Sequence, residues 1–202
     1  MTETSWAPAK RRGRPPSSDS AATRERILQA AQRVFAESGY EGATFQAVAA
    51  EIGLTRPAIN NYFSCKSALY AAVVDRVSNA VLDAIHTASE APTLAEQVQT
   101  FIHLTVRGGG ADPSLARFLV QSAMDVEHLP TGQAAALVER FVRAAVGAAV
   151  HRGEIAGAPD GLTDMLIGLV WGMAYQQGRR DEAGTDRMLD QLGVVLEHGL
   201  TA

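Results

Sequence analysis

The 202-residue chain has one cysteine, Cys65. An internal disulfide is therefore impossible, and so is a zinc cluster built on several cysteines. Long apolar runs are missing too. The longest nearly apolar stretch, Met165 to Tyr175, falls well short of the ~20 residues a membrane-spanning helix needs. Residues 1–20 are polar, proline-rich and basic and hold no apolar core of a secretory signal. A cytoplasmic protein with no membrane partner is expected. Catalytic signatures are absent as well. His86, His103, His128, His151 and His198 are widely spaced, without an HExxH pair. Gly108-Gly109-Gly110 lacks the Lys-Ser/Thr that a phosphate-binding loop requires, and no GxSxG elbow occurs. The expectation is no enzyme, no metal site and no cofactor. No stretch shows sustained period-two alternation, which leaves an all-α chain.

Net positive charge is also lacking: the sum is −4. The distribution is uneven, however. Residues 1–66 carry nine Lys+Arg against six Asp+Glu, and the remainder nine against sixteen. A basic N-terminal third on an acidic body is what a chain needs when one end faces phosphate.

The informative stretch is Thr44 to Phe63. Thr44 can cap a helix whose apolar residues Phe45, Val48, Ala49 and Ile52 fall on one face. Gly53 suits the left-handed position that ends it. Thr55 offers a second cap, and Pro57 sits in the first turn of the next helix, where its missing N–H costs nothing. That helix turns Ile59, Tyr62 and Phe63 inward and leaves Thr55, Arg56, Asn60 and Asn61 outside. Two short helices joined by a glycine-containing turn are the pattern of a helix-turn-helix. Arg56 can pair with guanine, and Asn60 or Asn61 with adenine.

The flanking segments fit this reading. Residues 1–20 are expected to be a disordered basic arm. In it Lys10-Arg11-Arg12-Gly13-Arg14-Pro15 carries a core like that of an AT-hook, and Arg11, Arg12 and Arg14 suit a narrow minor groove. Ala21 to Ser38 reads as a helix with Ile27, Ala31, Val34 and Phe35 inward, stopped by Gly39. Ser64 is expected to cap a long helix from Lys66 to about Glu90, roughly 37 Å at ~1.5 Å per residue. Lys66 and the first-turn N–H groups would then lie near the DNA backbone. Further helices are expected over about 93–107, 114–127, 131–152, 160–179 and 185–198, about nine in total. The division is an arm (1–20), a helix-turn-helix domain (21–66) and a helical ligand-binding and dimerisation domain (67–202).

Residues 23–70 resemble the tetracycline-repressor (TetR) family of transcriptional regulators. The resemblance rests on the helix Ala-Ala-x-x-Val-Phe-Ala-x-x-Gly-Tyr (residues 30–40), Thr44, Val48-Ala49, Gly53-Leu54-Thr55, Tyr62-Phe63, and Lys66 followed by Ala68-Leu69. It implies a three-helix DNA head, a body with a ligand pocket, and a homodimer formed by the last two helices. It also implies DNA contacts at Thr44, Thr55, Arg56, Tyr62 and Lys66, the last two on phosphate. The chain departs from the family pattern at Pro57-Ala58 and Asn60-Asn61, so no operator sequence carries over. With the arm and Pro57 included, the candidate DNA-contacting residues are Arg11, Arg12, Arg14, Thr44, Thr55, Arg56, Pro57, Asn60, Asn61, Tyr62 and Lys66.

The expected partners are a palindromic double-stranded operator, a second copy of the chain and an unknown small-molecule effector. Leu166, Ile167, Leu169, Val170, Trp171 and Met173 make the penultimate helix apolar on more than one side, so it must be covered twice. Gly168 and Gly172 would allow close approach of a twin. Candidate effector-lining residues are Phe101, His103, Phe118, Gln121, Met124, Phe141, Trp171 and Tyr175. Their composition suits an apolar or aromatic ligand that releases DNA. Two other functions fit the sequence: an architectural protein using its arm on A·T-rich DNA, or a ligand-independent or activating member of the same family.

Overall fold

The computed structural model describes residues 16–107, 114–124, 132–155, 159–177 and 182–199. Nine helices and no strand occur among the described residues: α1 (Pro16–Gly42), α2 (Phe45–Glu51), α3 (Arg56–Asn60), α4 (Lys66–Ser89), α5 (Leu94–Arg107), α6 (Ser114–Met124), α7 (Gly132–Arg152), α8 (Pro159–Gln177) and α9 (Glu182–Gly199). Arg11, Arg12 and Arg14 lie outside the described residues.

Helix α1 begins at Pro16, five residues ahead of the expected Ala21. Proline is well suited to a first helical position, and Asp19 in the first turn complements the helix dipole. The last residues of the segment read as an arm therefore belong to the helix. The α1 backbone breaks at Gly39, with φ 66° and ψ 178°, a region open almost only to glycine. Ile27, Ala31, Val34 and Phe35 are buried as their spacing requires.

Helix α1 packs on α2, α4 and α6, and α2 on α3. Aromatic rings run through this junction. Phe35 meets Tyr70 edge-on at 4.8 Å, Tyr40 meets Tyr70 at 5.0 Å, and Tyr70 meets Phe118 of α6 at 5.6 Å. The body is built from α4 to α9, with α4 against α5 and α7, α8 against α5, α6 and α7, and α9 against α5. Phe101 and Phe141 touch at 4.7 Å in its core.

One cap differs from expectation. Cys65, not Ser64, occupies the N-cap of α4, with extended backbone and no side-chain cap bond. The Ser64 hydroxyl points instead to the Cys65 sulfur at 3.9 Å. The helix itself starts at Lys66, as expected.

Candidate nucleic-acid interface

Both expected caps form. The Thr44 hydroxyl accepts from Ala47 N–H at 3.1 Å, and the Thr55 hydroxyl from Ala58 N–H at 3.4 Å. Between them Gly53 takes φ 68°, and Leu54 N–H returns to the Ala49 carbonyl at 2.9 Å. Val48, Ala49, Ile59 and Phe63 form the buried side of the motif. Arg24 lies over the Phe63 ring at 5.2 Å. Arg26 donates to the Ile52 carbonyl at 3.2 Å and Arg33 to Glu51 at 2.8 Å, so α1 grips the end of α2 twice.

With the inner side fixed, α3 presents Thr55, Arg56, Pro57, Asn60 and Asn61 to solvent. Among the described residues, the side chains of Arg56, Asn60 and Asn61 make no hydrogen bond. Their donors and acceptors are available to an incoming ligand. Thr44, Arg56, Asn60 and Lys66 line one groove of about 470 Å³, together with Phe45, Gln46, Ser64 and Cys65. Asn61 stands exposed beyond it, and Tyr62 is half-buried against the core. Gln46 and Cys65 were not among the sequence candidates. Gln46 could have been found, because it is a polar residue in the first turn of α2, beside the cap.

Lys66 is engaged in a way its sequence position does not reveal. Its ammonium donates to the Tyr40 carbonyl at 2.8 Å and the Glu41 carbonyl at 3.1 Å, and it lies 4.6 Å from the centre of the Tyr40 ring. Two of its three N–H donors thus fasten α4 to the end of α1. Next to it, the Ser67 hydroxyl, 3.1 Å from the Cys65 sulfur, is the main influence holding the exposed thiol below its ordinary pKa.

The eight effector-lining candidates differ in burial. Phe101, Phe118 and Phe141 are buried in the core. His103, Met124 and Tyr175 are exposed, while Gln121 and Trp171 are half-buried. A separate open groove of about 690 Å³ lies between α4 and α7, lined by Asp75, Ser78, Asn79, Leu82, Gln133, Ala136, Leu137 and Arg140. The buried Ser78 hydroxyl has no hydrogen-bond partner among the described residues. No group of three His, Cys, Asp or Glu that could hold a metal occurs among the described residues. No described helix is long and apolar enough to cross a membrane.

Comparison with known proteins centres on the same segment. Residues 27–73 match the family described as bacterial regulatory proteins, tetR family. An HTH-type transcriptional repressor of Streptomyces coelicolor, SCO4008, is 29% identical over 86% of this chain and 93% of its own length. Among solved structures, the MbdR regulator of Azoarcus sp. CIB superposes with a TM-score of 0.71 at 22% identity, over 88% of this chain and 98% of that one. A transcriptional regulator from Saccharomonospora viridis in complex with choline gives a TM-score of 0.68 at 19% identity, over 88% and 97%.

Proposed function

We propose that the chain is a DNA-binding transcriptional regulator of the TetR family, whose model matches residues 27–73, and that it works as a homodimeric repressor whose operator is a near-palindrome and whose release is triggered by a small molecule. The observation that carries the DNA half of this reading is the groove in which Thr44, Gln46, Arg56, Asn60 and Lys66 meet. Arg56 and Asn60 supply base-edge hydrogen bonds, while Lys66, Thr44 and Tyr62 set the register on phosphate. Arg11, Arg12 and Arg14 add minor-groove contacts from the preceding arm.

One head makes few specific contacts, each bidentate pair contributing about 1–3 kcal/mol of discrimination. Two heads double them, on half-sites about one helical turn or a multiple of it apart. The pairing surface is α8 with α9. Met165, Tyr175, Val194 and Val195 are large apolar side chains left 48–63% exposed there. Gly168 and Gly172 are exposed on α8, and a Cβ at either would meet nothing within 4 Å.

The effector reading is supported by the structural neighbour that holds choline. The α4–α7 groove is of a size suited to small ligands. Its Asp75 and Arg140 add charged walls to the apolar floor of Leu82, Ala136 and Leu137, a more polar setting than the aromatic candidates suggested. A regulator of this kind acts in the cytoplasm and needs no catalytic group.

Competition binding at fixed salt, with selected genomic fragments against bulk genomic DNA, tests the proposal. We expect a specificity ratio of roughly 10³ or more. A ratio near one would favour an architectural role for the arm. Arg56→Ala should relax preference at particular base pairs and leave non-specific affinity nearly unchanged.

A further inference from the structure

The junction between DNA head and body contains a directional polar chain beside its ring contacts and the Lys66 bonds to the end of α1. Gln32 of α1 is 1% exposed. Its amide nitrogen donates to the Ser114 hydroxyl, the first residue of α6, at 2.8 Å. Its amide oxygen accepts from Arg76 of α4, and Arg76 Nε donates to Glu25 of α1 at 2.8 Å. The direction of every link is fixed by chemistry. Guanidinium has donors only, so the Gln32 oxygen must face Arg76, which leaves the Gln32 NH₂ for Ser114. A single amide thus ties the head to two body helices at once.

The surrounding contact, made by Phe35, Tyr70 and Phe118, is held by ring packing. Apolar burial is non-directional and tolerates small sliding motions. A buried amide does not, because a shift of α1 against α6 or α4 leaves one of its groups unbonded in a dry site.

We propose that Gln32, with Arg76 and Ser114, is an orientation lock that sets the angle of each DNA head on the body, and through it the half-site spacing the dimer accepts. These are positioning residues: none lines the DNA groove. The inference rests on the dimeric reading above.

The test uses the full-length protein, the genomic fragment it binds most tightly, and copies of that fragment with one base pair inserted at the dyad. Each insertion rotates one half-site by roughly 34° and moves it about 3.4 Å. Wild type should lose about tenfold or more in affinity on insertion. Gln32→Leu, which keeps a side chain of comparable bulk and removes both amide groups, should lose less than about threefold. A purely structural role would lower the affinity for both fragments equally and leave their ratio alone. Ser114→Ala gives the same readout should Gln32→Leu fail to fold. A ratio in the variants within about twofold of wild type would overturn the lock. A wild type indifferent to insertion would overturn it too, and with it the dimeric operator reading.

Discussion

Thr44 and Thr55 show how far single residues could be read in advance. Each is a hydroxyl placed just ahead of a helix, and local chemistry alone dictates its bond to the third N–H beyond. The two bonds differ in length, 3.1 and 3.4 Å, so their substitutions should differ in effect. Thr44→Ala should destabilise the protein by about 1 kcal/mol and Thr55→Ala by less, as measured by urea denaturation. The reverse order would show that cap geometry does not govern the stability of this motif. Gly53 was legible for the same reason, because a left-handed backbone at a helix end selects glycine. Lys66 was legible only in part. Its carbonyl partners on Tyr40 and Glu41 lie some 25 residues earlier, and only the folded chain brings them within reach. Gln32 was not legible at all. It sits on the inner side of an amphipathic helix, and its partners come from α4 and α6.

Among elements, periodicity placed the helices to within a few residues. The departures are the start of α1, at Pro16 instead of Ala21, and the cap of α4, at Cys65 instead of Ser64. The effector candidates fared differently. Aromatic content says that Phe101, Phe118 and Phe141 are inside, but not whether they face each other or a cavity. In the fold the rings of Phe101 and Phe141 face each other. One joint between elements is sensitive to acid. Glu154, just past α7, accepts the Leu94 N–H at the start of α5 at 2.9 Å and pairs with Arg152. The hydrogen bond from Arg152, and after it the one from Leu94, hold the Glu154 carboxyl below its ordinary pKa. A carboxyl depressed in the folded state adds stability that is complete above its unfolded value, about 4.3, and is lost as pH falls through the folded value. Glu154→Gln should therefore be less stable than wild type at pH 7, and the difference should shrink below about pH 4. Urea denaturation at the two pH values checks this; a difference that grew in acid would refute the joint.

At the level of the whole molecule, the exposed apolar side chains of α8 and α9 are the feature most in need of a partner. Val195 is 63% exposed and Val194 50%. Val195→Glu should give a monomer in sedimentation velocity, with helical content unchanged and operator affinity sharply reduced. A dimer that persisted would move the pairing surface elsewhere. The sequence led to α8 through its apolar run, of which Leu166, Val170 and Met173 are buried in the body. It gave no sign of how firmly the head is seated, since that depends on which residues of α1 meet α6.

The continuity of rings from Phe35 through Tyr70 to Phe118 bears on protein engineering. The ring contacts cross residue 66, so a cut there would part α1 from its partners on α4 and α6. A chimera that joined residues 1–66 to a foreign sensor would leave α1 without the α4 and α6 surfaces it was shaped against, and the transplanted reader would sit askew. A graft that works must import the opening turns of α6 along with the first 80 or so residues, so the portable unit of this regulator is discontinuous along the chain.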